Sequence, residues 1–349
     1  MDERRTNEQL GQLADKLLGW YDGAARQLPW RENTDPYRVW VSEIMLQQTR
    51  VEAVIPYYLR FLAALPTVQA LAAAPREQLM KLWEGLGYYR RAENLQKAAK
   101  VVTQQYGGVF PPSYQQLLEL PGVGAYTAGA VASICFGKRT PAVDGNVLRV
   151  LARLREDDSD IAAPATKTAV RTLLAELYPV ERPGDFTQSL MELGATVCLP
   201  QNPRCGDCPV ADLCLAWERG TQNTLPVKAA KAPRPVEQRT VLLLCCQGRV
   251  AVERRPPTGL LAGLWQFPNL EGTLTEVQVR DWLADQGLGC MALHPGPTKK
   301  HIFTHRVWEM TSYRVECERM ADCFVWVTPE QLRQELTLPS AFQPFCSVL

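Results

Sequence analysis

Four cysteines crowd into one short loop, Cys198-LPQNPR-Cys205-GD-Cys208-PVADL-Cys214, with the spacing C-x6-C-x2-C-x5-C. Thiolates held this close repel one another unless a metal centre takes up their charge. Cys198, Cys205, Cys208 and Cys214 are therefore expected to ligate a metal. Zinc and an iron–sulfur cluster both accept four thiolates, and spacing alone does not choose between them. The remaining cysteines, at positions 135, 245, 246, 290, 317, 323 and 346, are odd in number and dispersed. They do not form a disulfide framework, so a reducing, cytoplasmic setting is expected.

A chain of 349 residues has room for two or three domains, each with its own core. From residue 6 to about 220, apolar residues recur every three or four positions in segments punctuated by Pro and Gly, as in YRVWVSEIMLQQ, VEAVIPYYLRFLAAL and NVLRVLARL. That pattern predicts many short helices in an all-α region with two lobes. The stretch TLPVKAAKAPRPVEQ, 224–238, is rich in Pro, Ala and basic residues and reads as a linker. Beyond it, TVLLLCC, GRVAVERR, HRVWEMTSYRVEC and CFVWVTP are strand-like, with one amphipathic helical stretch, TEVQVRDWLADQG, among them. A mixed α/β domain over 239–349 is expected. No run is apolar and long enough to cross a membrane, and MDERRTNEQL lacks the apolar core of a secretory signal. A net charge of +1 supplies no overall positive field, so any DNA contact must rest on local basic residues and backbone amides.

Three stretches carry chemistry. In LPGVGAYTAGAV, Gly122 and Gly124 make a tight turn that runs into a helix starting near Ala125. Glycines let backbone amides approach a phosphate, and the helix start presents free N–H groups; a plain packing corner has the same letters. In PAVDGNVLRV, Asp144 stands where a helix N-cap belongs. In WVSEIMLQQT, Glu43 shares a helical face with Val39, Trp40, Leu46 and Gln47. An unpaired charge buried in such company costs several kcal/mol in order of magnitude, so a carboxyl kept there needs a reason.

Hairpin, downstream aspartate and four-cysteine loop, in this order, resemble the helix-hairpin-helix DNA glycosylase superfamily that contains endonuclease III, over residues 28 to about 217. The resemblance implies a [4Fe–4S] cluster on the four cysteines, structural in role. It also implies a six-helix lobe over about 28–137 and a cluster lobe built from about 1–27 and 138–223, within a glycosylase domain spanning 1–223. The runs LPWR, VWVSEIMLQQTRVEAVIPYY, WEGLGYYRRAENL and PAVDGNVLRVLARL narrow it to MutY adenine DNA glycosylases. That family removes adenine mispaired with 8-oxoguanine or guanine in duplex DNA, as a monomer. Where endonuclease III-type enzymes carry a Schiff-base lysine after the hairpin, this chain has Tyr126, which cannot form an imine. An endonuclease III-like glycosylase for oxidised pyrimidines with lyase activity is the alternative that Tyr126 disfavours.

Adenine leaves poorly unless a ring nitrogen is protonated, and the sugar left behind becomes cation-like. The chemistry asks for one acid and one anion, as in glycosidases. Apolar surroundings are expected to keep Glu43 protonated, and amide donors at a helix start to keep Asp144 ionised. The resemblance gives the same roles, with Tyr126 and Asn146 assisting. It further implies that Gln48 and Tyr88 wedge into the duplex, and that Arg31, Leu46 and Gln188 line the adenine pocket.

The stretch 259–287 resembles the Nudix region, but Leu283 and Ala284 stand where hydrolases carry paired glutamates, leaving Asp281 and Asp285. Too few carboxylates remain to hold magnesium. A Nudix-like domain that recognises 8-oxoguanine is implied, with Phe303, Thr304 and His305 in place of the family's Phe-Ser-His loop.

Overall fold

The computed structural model describes residues 10–230 and 232–349; residues 1–9 of the expected cluster lobe and Lys231 of the expected linker lie outside them. No described helix is long and apolar enough to cross a membrane. The chain divides into two compact units, Met1–Ala73 with Glu93–Ala230, and Ala74–Ala92 with Lys231–Leu349.

The first unit is helical. In chain order its helices are α1 (Leu13–Ala24), α2 (Pro36–Leu46), α3 (Val51–Ala64) and α4 (Val68–Ala73). After α5 (Arg76–Trp83), which belongs to the second unit, come α6 (Arg90–Gln105), in the first unit from Glu93 onward, α7 (Tyr114–Leu118), α8 (Ala125–Phe136) and α9 (Gly145–Arg155). They are followed by α10 (Pro164–Leu177), α11 (Pro183–Thr196) and the short α12 (Leu215–Glu218). Local signals set the ends. Asp35 caps α2 by accepting from the Arg38 N–H at 2.9 Å, with Pro36 in the first turn. Gly137, at φ 63°, closes α8 in the left-handed conformation. Leu13 and Leu17 of α1 share one core with Val147 and Leu151 of α9, Leu174 of α10, and Phe186 and Leu190 of α11. The N-terminal helix thus packs with elements more than a hundred residues away, and the cysteine loop sits against this same core.

The second unit holds β1 (Val236–Cys246), β2 (Arg249–Arg254), β3 (Trp265–Gln266), β4 (Asn269–Glu271), α13 (Glu276–Asp285) and β5 (Cys290–Pro295). It ends with β6 (Lys299–Ile302), β7 (Val307–Cys317), β8 (Val325–Val327) and α14 (Pro329–Gln334). The strands form one mixed sheet of order β3-β2-β1-β7-β5, with β1 and β7 parallel. TVLLLCC is continuously apolar because both of its faces are covered. Val241 and Leu243 pack toward Leu332, Phe342 and Phe345, while Leu242 and Leu244 pack toward Val279 and Leu283 of α13.

Residues 74–92, expected to lie in the helical domain, group instead with this unit. Polar contacts explain it: the Glu77 carboxylate accepts from Arg254 at 2.7 Å, Lys81 donates to the Leu336 carbonyl at 2.9 Å, and the Leu338 N–H donates to Glu84 at 2.8 Å.

Candidate active site

Glu43 lies on the last turns of α2 and is 5% exposed. The Tyr126 hydroxyl, from the first turn of α8, donates to its carboxyl. Burial is the main influence on Glu43, pushing its pKa up from the ordinary carboxylate value to about 7. The Tyr126 hydrogen bond and the Arg31 cation pull it down; the Asp144 charge pushes it up.

Asp144 caps α9 as expected: it accepts from the Val147 N–H at 2.8 Å and from the Asn146 side-chain amide at 2.9 Å. Burial raises its pKa, against the pull of those donors and of the Arg149 cation. Both of its hydrogen-bond partners are N–H groups that can only donate, so the anion is still the form this site is built for. Glu43 faces a hydroxyl, which serves either protonation state. The donors around Asp144 favour its anion, while burial lets Glu43 hold its proton up to about 7.

A relay supports Asp144. Arg149 donates to the Asn146 side-chain oxygen at 2.8 Å, and Asn146 donates to Asp144. Arg149 also grips the carbonyls of Gly194 at 2.8 Å and Cys198 at 2.7 Å. A Cβ on Gly194 would stand 2.5 Å from the Cβ of Asn146, so glycine is what lets α11 approach the site.

α11 carries further site residues on one face. Met191 and Glu192 stand one turn after Gln188; the Met191 sulfur is 4.0 Å from the Tyr126 hydroxyl. Glu192 has a wholly buried side chain, and Arg26 donates to it through two side-chain nitrogens at 2.6 and 3.0 Å. Arg31 donates to the same carboxylate at 2.8 Å. Sequence reasoning placed Arg31 in the site and missed Arg26, Glu192 and Arg149. Leu46 ends α2 half-buried, one turn beyond Glu43.

The hairpin forms as the sequence predicts. Gly122, at φ 77°, makes the turn between α7 and α8. A Cβ there would lie 2.6 Å from Asn94. Gly124 caps α8 with nothing packed over it. Gln48 is exposed at φ 61°, a conformation rare outside glycine.

In the second unit Tyr88 is likewise exposed with φ 48°, and its hydroxyl is 2.9 Å from the Thr304 hydroxyl. Thr304 and His305 are exposed in the β6–β7 turn, which the Phe303 N–H closes by donating to the Arg306 carbonyl at 2.9 Å. Phe303 turns inward, its ring 4.9 Å from Trp308. Leu283 is fully buried in α13, whereas Asp281 and Asp285 are exposed.

The four cysteines line one cavity in the first unit, together with Val150, Leu154, Leu193 and Arg153. Arg153 is 2% exposed; it donates to the Leu199 carbonyl at 2.7 Å and points a charged N–H at the Cys198 sulfur, 3.2 Å away. Among the described residues no three metal-binding side chains close around a single ion. In a four-iron cube each thiolate binds its own iron, so the sulfurs need not meet at one point. Spread thiols, an apolar wall and a cation aimed at sulfur fit that anionic group.

Residues 41–179 match the helix-hairpin-helix superfamily of base excision DNA repair proteins, 198–214 the iron–sulfur binding domain of endonuclease III, and 239–347 the NUDIX domain. The helical part is similar to a solved thermostable thymine-DNA glycosylase, at 31% identity and a TM-score of 0.56, covering 61% of this chain and 99% of that one. Fold and site thus define a helix-hairpin-helix DNA repair protein with an iron–sulfur loop and a Nudix-like domain. The chain is 40% identical over 308 residues to the adenine DNA glycosylase of Homo sapiens, matching 73% of this chain but only 56% of that protein. To the adenine DNA glycosylase of Buchnera aphidicola subsp. Baizongia pistaciae it is 32% identical, over 83% of this chain and 82% of the other. It belongs to the adenine DNA glycosylase family.

Proposed function

We propose that this protein hydrolyses the N-glycosidic bond of adenine mispaired with 8-oxoguanine or guanine in duplex DNA, removing the base without cutting the strand. The observation that carries the reading is the pair of unlike carboxyls. Glu43 keeps a proton near neutral pH, and Asp144 sits on N–H donors. Glu43 gives its proton to N7 of the flipped adenine, and the base departs as a neutral leaving group. Asp144 faces the cation that develops on the sugar and stabilises it while water adds. Tyr126 orients the Glu43 carboxyl, and Asn146 orients Asp144. Tyr126 replaces the lysine that a strand-cleaving enzyme would use.

Flipping a base out of the stack costs a few kcal/mol in order of magnitude. Gln48 and Tyr88 fill the space that the flipped base leaves; the exposure and positive φ of each support this reading. Arg31, Leu46 and Gln188 receive the adenine, and the amides around Gly122 and Gly124 take a backbone phosphate. Thr304 and His305 read 8-oxoguanine from the β6–β7 turn, with Phe303 as the anchor of that turn. Cys198, Cys205, Cys208 and Cys214 would hold a [4Fe–4S] cluster, which when bound would fix the loop that follows α11. The test is incubation with duplexes containing adenine opposite 8-oxoguanine, adenine opposite guanine, or thymine glycol. Adenine release, with nicking only after alkali, is expected. Release of oxidised pyrimidine with direct nicking would replace this reading by the lyase alternative.

A further inference from the structure

Arg31 is shared between two carboxyls. Its guanidinium donates to Glu192 at 2.8 Å and to the Arg26 carbonyl at 3.1 Å, and lies over the Tyr21 ring, 5.6 Å from its centre. Its charge also reaches Glu43 and favours the ionised form there. Glu192 is the anion that holds it: a side chain with no exposed surface, fixed from the other side by Arg26. A guanidinium released from Glu192 would seek another anion. Glu43 is the carboxyl it already influences, and an ionised Glu43 has no proton to give.

We propose that Glu192 is a positioning residue: by holding Arg31 it keeps that cation from pairing with Glu43 and leaves Glu43 a proton donor. The inference rests on the function proposed above. The groups facing Glu43 are Tyr126 and Cys135 from α8, Asp144 from the start of α9, and Arg31 from the turn Pro29–Arg31. Those facing Glu192 are Arg26, Arg31 and, from α1, Tyr21. Arg31 is the charged group common to both sets.

The experiment is the pH dependence of single-turnover adenine release by Glu192→Gln, Glu192→Asp and Arg26→Gln. The rate falls as pH rises through the Glu43 titration, giving an alkaline limb. In Glu192→Gln the anion is gone, and the limb is expected to move to lower pH by about one unit, the usual effect of a nearby opposite charge. Glu192→Asp keeps the anion, so its limb stays in place even where the rate drops. Arg26→Gln leaves Glu192 wholly to Arg31 and moves the limb to higher pH; it stands in if Glu192→Gln does not fold. A Glu192→Gln enzyme with a depressed rate and an unmoved limb, or an unmoved limb in Arg26→Gln, would overturn the inference. Failure of the unaltered protein to release adenine would instead remove the function on which it rests.

Discussion

A Glu43 carboxyl that titrates at about 7 in the folded chain and near 4.5 when unfolded links stability to pH. The folded value is the raised one, so the stability is fully present below pH 4.5 and is lost as pH rises through about 7. The gap corresponds to on the order of 3 kcal/mol at full titration. Glu43→Gln keeps the shape and removes the charge. It is expected to unfold with the unaltered protein at pH 4 and to exceed it by on the order of 3 kcal/mol at pH 8, read from urea unfolding at both pH values. The same variant is expected to bind the mispair and to lose adenine release by at least about a hundredfold; near-normal turnover would remove Glu43 from the acid role. The letters around Glu43 made this site legible, since Trp40, Ile44 and Met45 announce burial. Asp144 was legible as a cap but not as a buried group: the donors lie in adjacent letters, whereas its burial comes from packing. The partners of Glu192 were not legible, because Arg26 and Arg31 lie 166 and 161 residues away from it.

Among the elements, α11 does most to hold the site together, presenting Gln188, Met191 and Glu192 on one face and Gly194 against Asn146. A methyl at 194 would press on a side chain that has no room to retreat, since Asn146 is tied to both Asp144 and Arg149. Gly194→Ala is expected to destabilise the protein by about 1–3 kcal/mol. By turning Asn146 it should also slow adenine release more than about tenfold at saturating protein. Full activity would mean that Asn146 is not needed where it stands. In α9, Arg149 and Arg153 lie one turn apart in a helix otherwise read as apolar, a signal the sequence did contain. Two buried cations on one stripe need carbonyls or anions, and the cysteine loop provides them. Arg153→Ala strips three carbonyl partners and the N–H at Cys198. It is expected to lower the iron content per chain and the brown absorbance of the purified protein; unchanged iron loading would show that the thiols suffice.

For the molecule as a whole, the period-two and period-three-to-four patterns separated an all-α part from a mixed α/β part, and two compact units are present. What the patterns did not reveal is that residues 74–92 group with the second unit. Helix α5 reads as helical wherever it packs; its assignment is decided by Glu77, Lys81 and Glu84 meeting partners more than 170 residues later. This grouping places Tyr88 beside Thr304, so the residue proposed to wedge the duplex and the residue proposed to read 8-oxoguanine share a hydrogen bond of 2.9 Å. A hydroxyl at 304 steadies an exposed tyrosine at positive φ and, on the proposed function, would offer a donor or acceptor to the opposing base. Thr304→Val keeps the branched shape and removes that hydroxyl, whereas Thr304→Ser keeps it and removes the methyl. A hydrogen bond of this kind contributes about 1 kcal/mol net, close to a fivefold effect. The ratio of adenine release opposite 8-oxoguanine to that opposite guanine is therefore expected to fall about fivefold in Thr304→Val and to hold in Thr304→Ser. If both variants keep the ratio of the unaltered protein, recognition does not pass through position 304, and the exposed His305 next to it becomes the side chain to replace.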